Sequence, residues 1–186
     1  GHLDSWDLGT GATDNGTGCV AALEALRAIQ ALGLKPKRTL RVVLFSGEEQ
    51  GLLGSIAYVK AHEAELARIQ AVLIEDGGTG KIKGWPDMGQ EHWRAPLAAA
   101  LVPANQIGAT EIGDLTVGAG TDHWPFHQKG VPAFAALQEE LDYETKTHHS
   151  QSDVLDHVVK EDLLQGAQVL AVTAWGLLNG ERLPHR

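Results

Sequence analysis

The stretch TLRVVLFS at Thr39–Ser46, followed at once by GEEQG at Gly47–Gly51, decides the fold. Its β-branched and apolar run is continuous, without polar alternation, as in a strand buried on both faces of a parallel sheet. Upstream, Val20, Leu23, Leu26, Ala28, Ile29 and Leu32 recur at helical spacing from Gly16 onward, and Gly33 supplies a stop. Downstream, Leu52 to His62 reads as a helix and AVLIED (Ala71–Asp76) as a second buried strand. The Gly-, Trp- and Pro-rich segment Gly77–Trp93 reads as a loop leading to a helix at Arg94–Pro103. Asp114–Val117 is expected as a short strand, VPAFAAL (Val131–Leu137) as a better one, and Glu161–Leu178 as the closing helix. Strands alternating with helices predict an α/β protein: three layers, α/β/α, around a mostly parallel sheet.

The chain of 186 residues fits one domain, and no repeat, low-complexity tract or linker divides it. Apolar residues at 43% and charged residues at 21% are the balance of a globular domain with a real core. Fifteen Lys plus Arg against 24 Asp plus Glu give a net charge of −9, which argues against nucleic acid or an anionic membrane as partner. No apolar run approaches the ~20 residues of a membrane span, and no basic-then-apolar leader opens the chain. The single cysteine, Cys19, excludes an internal disulfide and a thiolate metal cage, and its place on the first helix reads as core.

In such sheets functional groups collect on loops at the carboxyl ends of strands. Glu48 and Glu49 follow the first strand, Asp76 ends the second, and Asp14 lies in the Gly-rich loop before the first helix. Two histidines have a carboxylate at short range, His2 with Asp4 and His149 with Asp153. Zinc-like ions take imidazole and carboxylate ligands, with an orienting hydrogen bond on the far ring nitrogen of each histidine. Two histidines and three carboxylates, one of them bridging, suffice for two ions, and a fourth carboxylate is then free to act as a base on water. Taken singly, each feature has a plainer reading: a solvated Glu pair, a helix cap at Asp14, a turn at Asp76, a polar loop at His148–His149. Their joint placement at strand ends favours the metal site. Rival chemistries lack their motifs: there is no H-E-x-x-H, no G-x-S-x-G, and neither a G-x-G-x-x-G nor a Walker lysine in the Gly9–Gly18 loop.

GHLDSWDLGTGATDNGTG, RTLRVVLFSGEEQGLLGS, the Asp of IEDGG, GAGTD and THHSQSD, in that order, resemble the di-zinc aminopeptidase and carboxypeptidase family over essentially the whole chain. The resemblance implies a zinc-exopeptidase fold and two Zn2+ ions. His2 and Asp76 would serve one ion, Glu49 and His149 the other, and Asp14 would bridge them. Glu48 would be the general base and Asp4 would orient His2. Gly120, Thr121 and Asp122 match a segment lining the substrate cleft. His149, not His148, fits the pattern of a His followed four residues on by Asp. Val154 stands where the family usually has Thr, which leaves a supporting hydrogen bond in question. The implied activity is hydrolysis of short unblocked peptides or dipeptides, in a secreted or periplasmic setting. A glutaminyl-cyclase-like transferase shares only the one-zinc subset of ligands, and a non-catalytic interaction domain on this fold would have lost them.

Family members carry strands upstream of the His-x-Asp motif, so residues 1–186 are expected to form a partial catalytic domain. Its unpaired sheet edge would invite self-association, as in a homodimer. His2, at the second position, would be the least firmly held ligand, its ion bound more weakly than that of Glu49 and His149, and activity weak or absent in the chain alone.

Overall fold

The computed structural model describes residues 1–114, 118 and 120–186. Helices α1 (Thr17–Ala31), α2 (Leu53–Ala61), α3 (Glu91–Leu101), α4 (Trp124–Gln128) and α5 (Lys160–Asn179) surround strands β1 (Val72–Ile74), β2 (Ile82–Pro86), β3 (Glu111–Gly113), β4 (Ala133–Ala135) and β5 (Leu137–Gln138). β1 and β4 pair in parallel, with Leu73 opposite Phe134 and Ile74 opposite Ala135. β2 pairs in parallel with β3 and antiparallel with β5. Two small sheets result, β1–β4 and β3–β2–β5, and two of their three pairings are parallel, as expected, with one antiparallel.

The period-2 alternation of strand side chains divides the interior into two cores. Leu73 and Phe134 point into one, with Ala21 and Ala25 of α1, Trp93 and Leu97 of α3, and Val169 and Leu170 of α5. Val72, Ile74 and Ala133 point into the other, with Val59 of α2 and Phe126 of α4. Helices on both faces make the three-layer α/β/α architecture.

Several expectations change. In α1 the buried stripe is the small face, Ala21 and Ala25 with Ile29, while Val20 and Leu23 are exposed, because α1 lies close against α5. The segment Gly77–Trp93 is not all loop: it contains β2. Gly84, which weakens that strand in sequence, is there for close approach, since a Cβ would meet the Glu111 carbonyl oxygen at 1.8 Å. The five-residue α4 is too short to announce itself by periodicity. Of the strand expected at Asp114–Val117, residues 115–117 lie outside the described residues, and β3 ends just before it.

The largest correction concerns Thr39–Ser46. It forms no strand ladder: its one bridge among the described residues joins Phe45 to His2, and Thr39–Leu44 is half-buried or exposed. A strand is buried on both faces only where neighbours flank it. Here residues 38–43 and 70–74 instead face each other across an apolar groove of about 470 Å3.

Candidate metal centre

The site lies where these segments end. The chain enters at His2, tied by Leu3 N–H to the Phe45 carbonyl at 2.9 Å and by Phe45 N–H to the Gly1 carbonyl at 3.1 Å. The His2 N–H donates to Asn15 Oδ1 at 3.1 Å, and Asn15 Nδ2 donates to the Glu75 carbonyl at 3.0 Å, so one amide side chain ties the entry segment to the end of β1. Gly18 permits this closeness, since a Cβ there would stand 2.1 Å from the same Glu75 oxygen. Contrary to expectation, His2 is firmly held and only 1% exposed, whereas the His149 side chain is 49% exposed.

Two carboxylates set the backbone on either side. Asp4 accepts from the Glu48 N–H at 3.2 Å and the Glu49 N–H at 3.1 Å, one on each oxygen. Its role differs in part from the expected one: His2 Nδ1 lies 2.9 Å from the Asp4 backbone carbonyl and 3.7 Å from its carboxylate. Asp153 accepts from the Thr13 N–H at 2.6 Å and the Asp14 N–H at 2.9 Å. The sequence pairs Asp153 with His149; the structure places it on the turn that carries Asp14. Charge-assisted bonds of this kind are the strong ones, and here they fix loops that no strand ladder holds.

The side chains so placed converge. His2 Nε2 lies 3.3 Å from Asp14 Oδ1, 3.2 Å from Asp76 Oδ1 and 3.8 Å from Glu48 Oε2. His149 Nε2 lies 2.9 Å from Glu49 Oε2 and 3.7 Å from Asp14 Oδ2. Asp14 thus turns one oxygen to each histidine. The His148 ring lies against that of His149, tilted by 35° with centroids 3.8 Å apart, and close enough to Asp14 to be a competing donor. His149 itself sits at φ 53°, a left-handed conformation that costs a non-glycine residue about 1 kcal/mol or more. Of the GAGTD segment, Gly120 is exposed while Thr121 and Asp122 are buried, the Asp122 charge reaching Glu48.

Burial and mutual repulsion mark the carboxylates. Burial first, then the Asp76 charge, pushes Glu48 up to about 8, and burial with the Asp14 charge pushes Glu49 up to about 7. Burial carries Asp122 up to about 6, against the Ser55 hydroxyl beside it. Burial would lower His2, but its hydrogen bonds to Asp14 and Asp76 outweigh it and lift the imidazole to about 11. Burial raises Asp14, and the His2 hydrogen bond overcomes that and holds it below its ordinary value. Buried Asp14 Oδ2 and Glu49 Oε1 have no hydrogen-bond partner among the described residues. Orphaned carboxylate oxygens beside imidazole nitrogens are a donor set that fits zinc-like cations.

The model of peptidase family M28 matches residues 1–174. The chain belongs to that family. Human carboxypeptidase Q is 36% identical over 183 residues, 98% of this chain but 38% of the relative's length, so the chain spans about two fifths of that protein. A peptidase M28 precursor from Shewanella amazonensis superposes with a TM-score of 0.91 at 37% identity, over 100% of this chain and 42% of that one. A zinc aminopeptidase from Bacillus subtilis gives 0.77 at 28% identity, over 97% and 45%.

The sequence reading did not single out Trp6, whose indole N–H donates to Glu49 Oε2 at 2.7 Å, or Asn15. Both act through tertiary contacts that spacing does not reveal.

Proposed function

We propose that the protein is a di-zinc exopeptidase that hydrolyses peptide bonds of short unblocked peptides, residues 1–186 forming one unit of its catalytic domain. The observation that carries this reading is Asp14, with Oδ1 toward His2 and Oδ2 toward His149. His2 and Asp76 would hold one ion, Glu49 and His149 the other, and Asp14 both. The zinc named for the Bacillus subtilis neighbour suits the same donors. When bound, the ions supply Lewis-acid polarisation of the scissile carbonyl and acidify water.

The remaining work falls to this chain's own groups. Glu48, which is not needed as a ligand, accepts a proton from the attacking water at Oε and passes it to the leaving amine nitrogen. Asp4 keeps Glu48 and Glu49 at fixed spacing by holding both N–H groups, so the base does not drift toward a ligand position. Asp153 does the same for Asp14.

Zinc-loaded protein assayed on a panel of unblocked di- and tripeptides tests the proposal. Hydrolysis of the free peptides, with an internally quenched peptide blocked at both ends left intact, is expected. Cleavage of the blocked peptide refutes exopeptidase action. Cyclisation of an amino-terminal glutamine points to the transferase, and failure of the protein to take up zinc points to an interaction domain.

A further inference from the structure

Trp6 stands two residues beyond Asp4 and is 42% exposed, yet its polar edge is fully engaged. The indole Nε1–H donates to Glu49 Oε2 at 2.7 Å, and the ring lies 5.6 Å from the His149 ring at 51°. Glu49 itself is almost enclosed, its side chain 2% exposed, and its other oxygen, Oε1, is the buried one without a hydrogen-bond partner. An indole N–H is a donor only and cannot ligate a cation. It can fix the orientation of the carboxylate that does so, and here it holds the oxygen facing His149. Trp6 also touches both side chains assigned above to the same ion. No hydrogen bond or ring contact ties it to His2 or Asp76 among the described residues.

We propose that Trp6 is a positioning residue for one ion of the pair: its N–H fixes the Glu49 carboxylate through Oε2, the oxygen that lies 2.9 Å from His149 Nε2, and its ring limits the swing of the half-exposed His149. The inference rests on the two-ion reading and adds that the two ions answer to different supports. Asp4 serves the common framework, and Trp6 serves the ion of Glu49 and His149 alone. Loss of an orienting group outside the ligand shell typically weakens a metal by about 10- to 100-fold.

Trp6→Phe keeps an aromatic ring beside His149 and removes only the donor. The test titrates metal-free full chain with Co2+, following visible absorption and heat, in wild type, Trp6→Phe, Glu49→Gln and the double variant. Wild type is expected to bind two ions. Trp6→Phe should weaken one by about 10-fold or more, change the absorption of that ion and leave the other unaltered. In the Glu49→Gln background the further effect of Trp6→Phe should shrink, since the coupled acceptor has changed. Trp6 is one of five tryptophans, so the fluorescence lost in Trp6→Phe isolates its signal, which should respond to the second ion and not the first. Two ions in wild type with unchanged affinities and spectra in Trp6→Phe overturn the role of Trp6. Equal weakening of both ions overturns its selectivity. Fewer than two ions in wild type removes the reading beneath it, and this inference with it.

Discussion

The segments 39–46 and 71–76 have two quite different ends. Along their bodies they face an apolar groove of about 470 Å3, bordered by half-buried Val42, Val43, Val72 and Leu73. At their carboxyl ends they carry a closed polar cluster in which His2 and Asp14 are 1% and 3% exposed. The body depends on neighbouring backbone to bury it. The end is built by side chains that grip backbone N–H groups: Asp4 on Glu48 and Glu49, Asp153 on Thr13 and Asp14, and Asn15 on His2. The geometry of the site is thus set locally, not inherited from a complete strand ladder.

The sharpest separation is expected within the Glu48–Glu49 pair. Glu48→Gln should lower turnover about 10²–10⁴-fold while metal content stays near normal. Glu49→Gln should also lose metal. Elemental analysis beside a dipeptide assay reads both, and the reverse pattern would exchange the two roles. Next in size is Asp153→Ala, which strands two buried N–H groups and should cost ~3 kcal/mol by denaturant unfolding, with weaker metal binding. On the apolar side, Val131→Ala, in a packed core, should cost about 2 kcal/mol, but Val43→Ala, beside the groove, only about 1 kcal/mol. Equal costs would mean that the groove is as well packed as the core.

A separate comparison is the pH dependence of the metal-free chain. Glu48 and Glu49 have folded values of about 8 and about 7, above their ordinary 4.5, and His2 about 11, above 6.5. Groups raised on folding stabilise fully below their unfolded values and lose that contribution as pH climbs through the folded ones. The glutamates lose theirs between about pH 4.5 and 8, and His2 between about 6.5 and 11. Asp14, lowered on folding, contributes the opposite sign, lost as pH falls through its folded value. The Tm of metal-free protein should therefore fall from pH 5 to pH 9. A rise over that range would contradict the electrostatics assigned to the site.

The contrast also explains what sequence alone could reveal. Helices α1, α2 and α5 and strands β1 and β4 are legible because periodicity and apolar runs are local properties. The burial of Thr39–Ser46 is not local, and the sequence pattern overstates it. β2 is hidden by Gly84 and Pro86, whose fitness depends on β3 alongside. Among site residues, His2, Asp4, Asp14, Glu48, Glu49, Asp76 and His149 stand out through residue type and position at segment ends. The partner of Asp153 and the engagement of Trp6 do not, because each reaches across the fold, Asp153 to Thr13 and Trp6 to Glu49.

In the proposed site one carboxylate, Asp14, serves two ions. Zinc stoichiometry and affinity by elemental analysis and calorimetry, compared between wild type and Asp14→Ala with folding checked by circular dichroism, test it most directly. Wild type should bind two ions per chain, and the folded variant should bind both more weakly. One ion in wild type, or two ions of which Asp14→Ala disturbs only one, would contradict it.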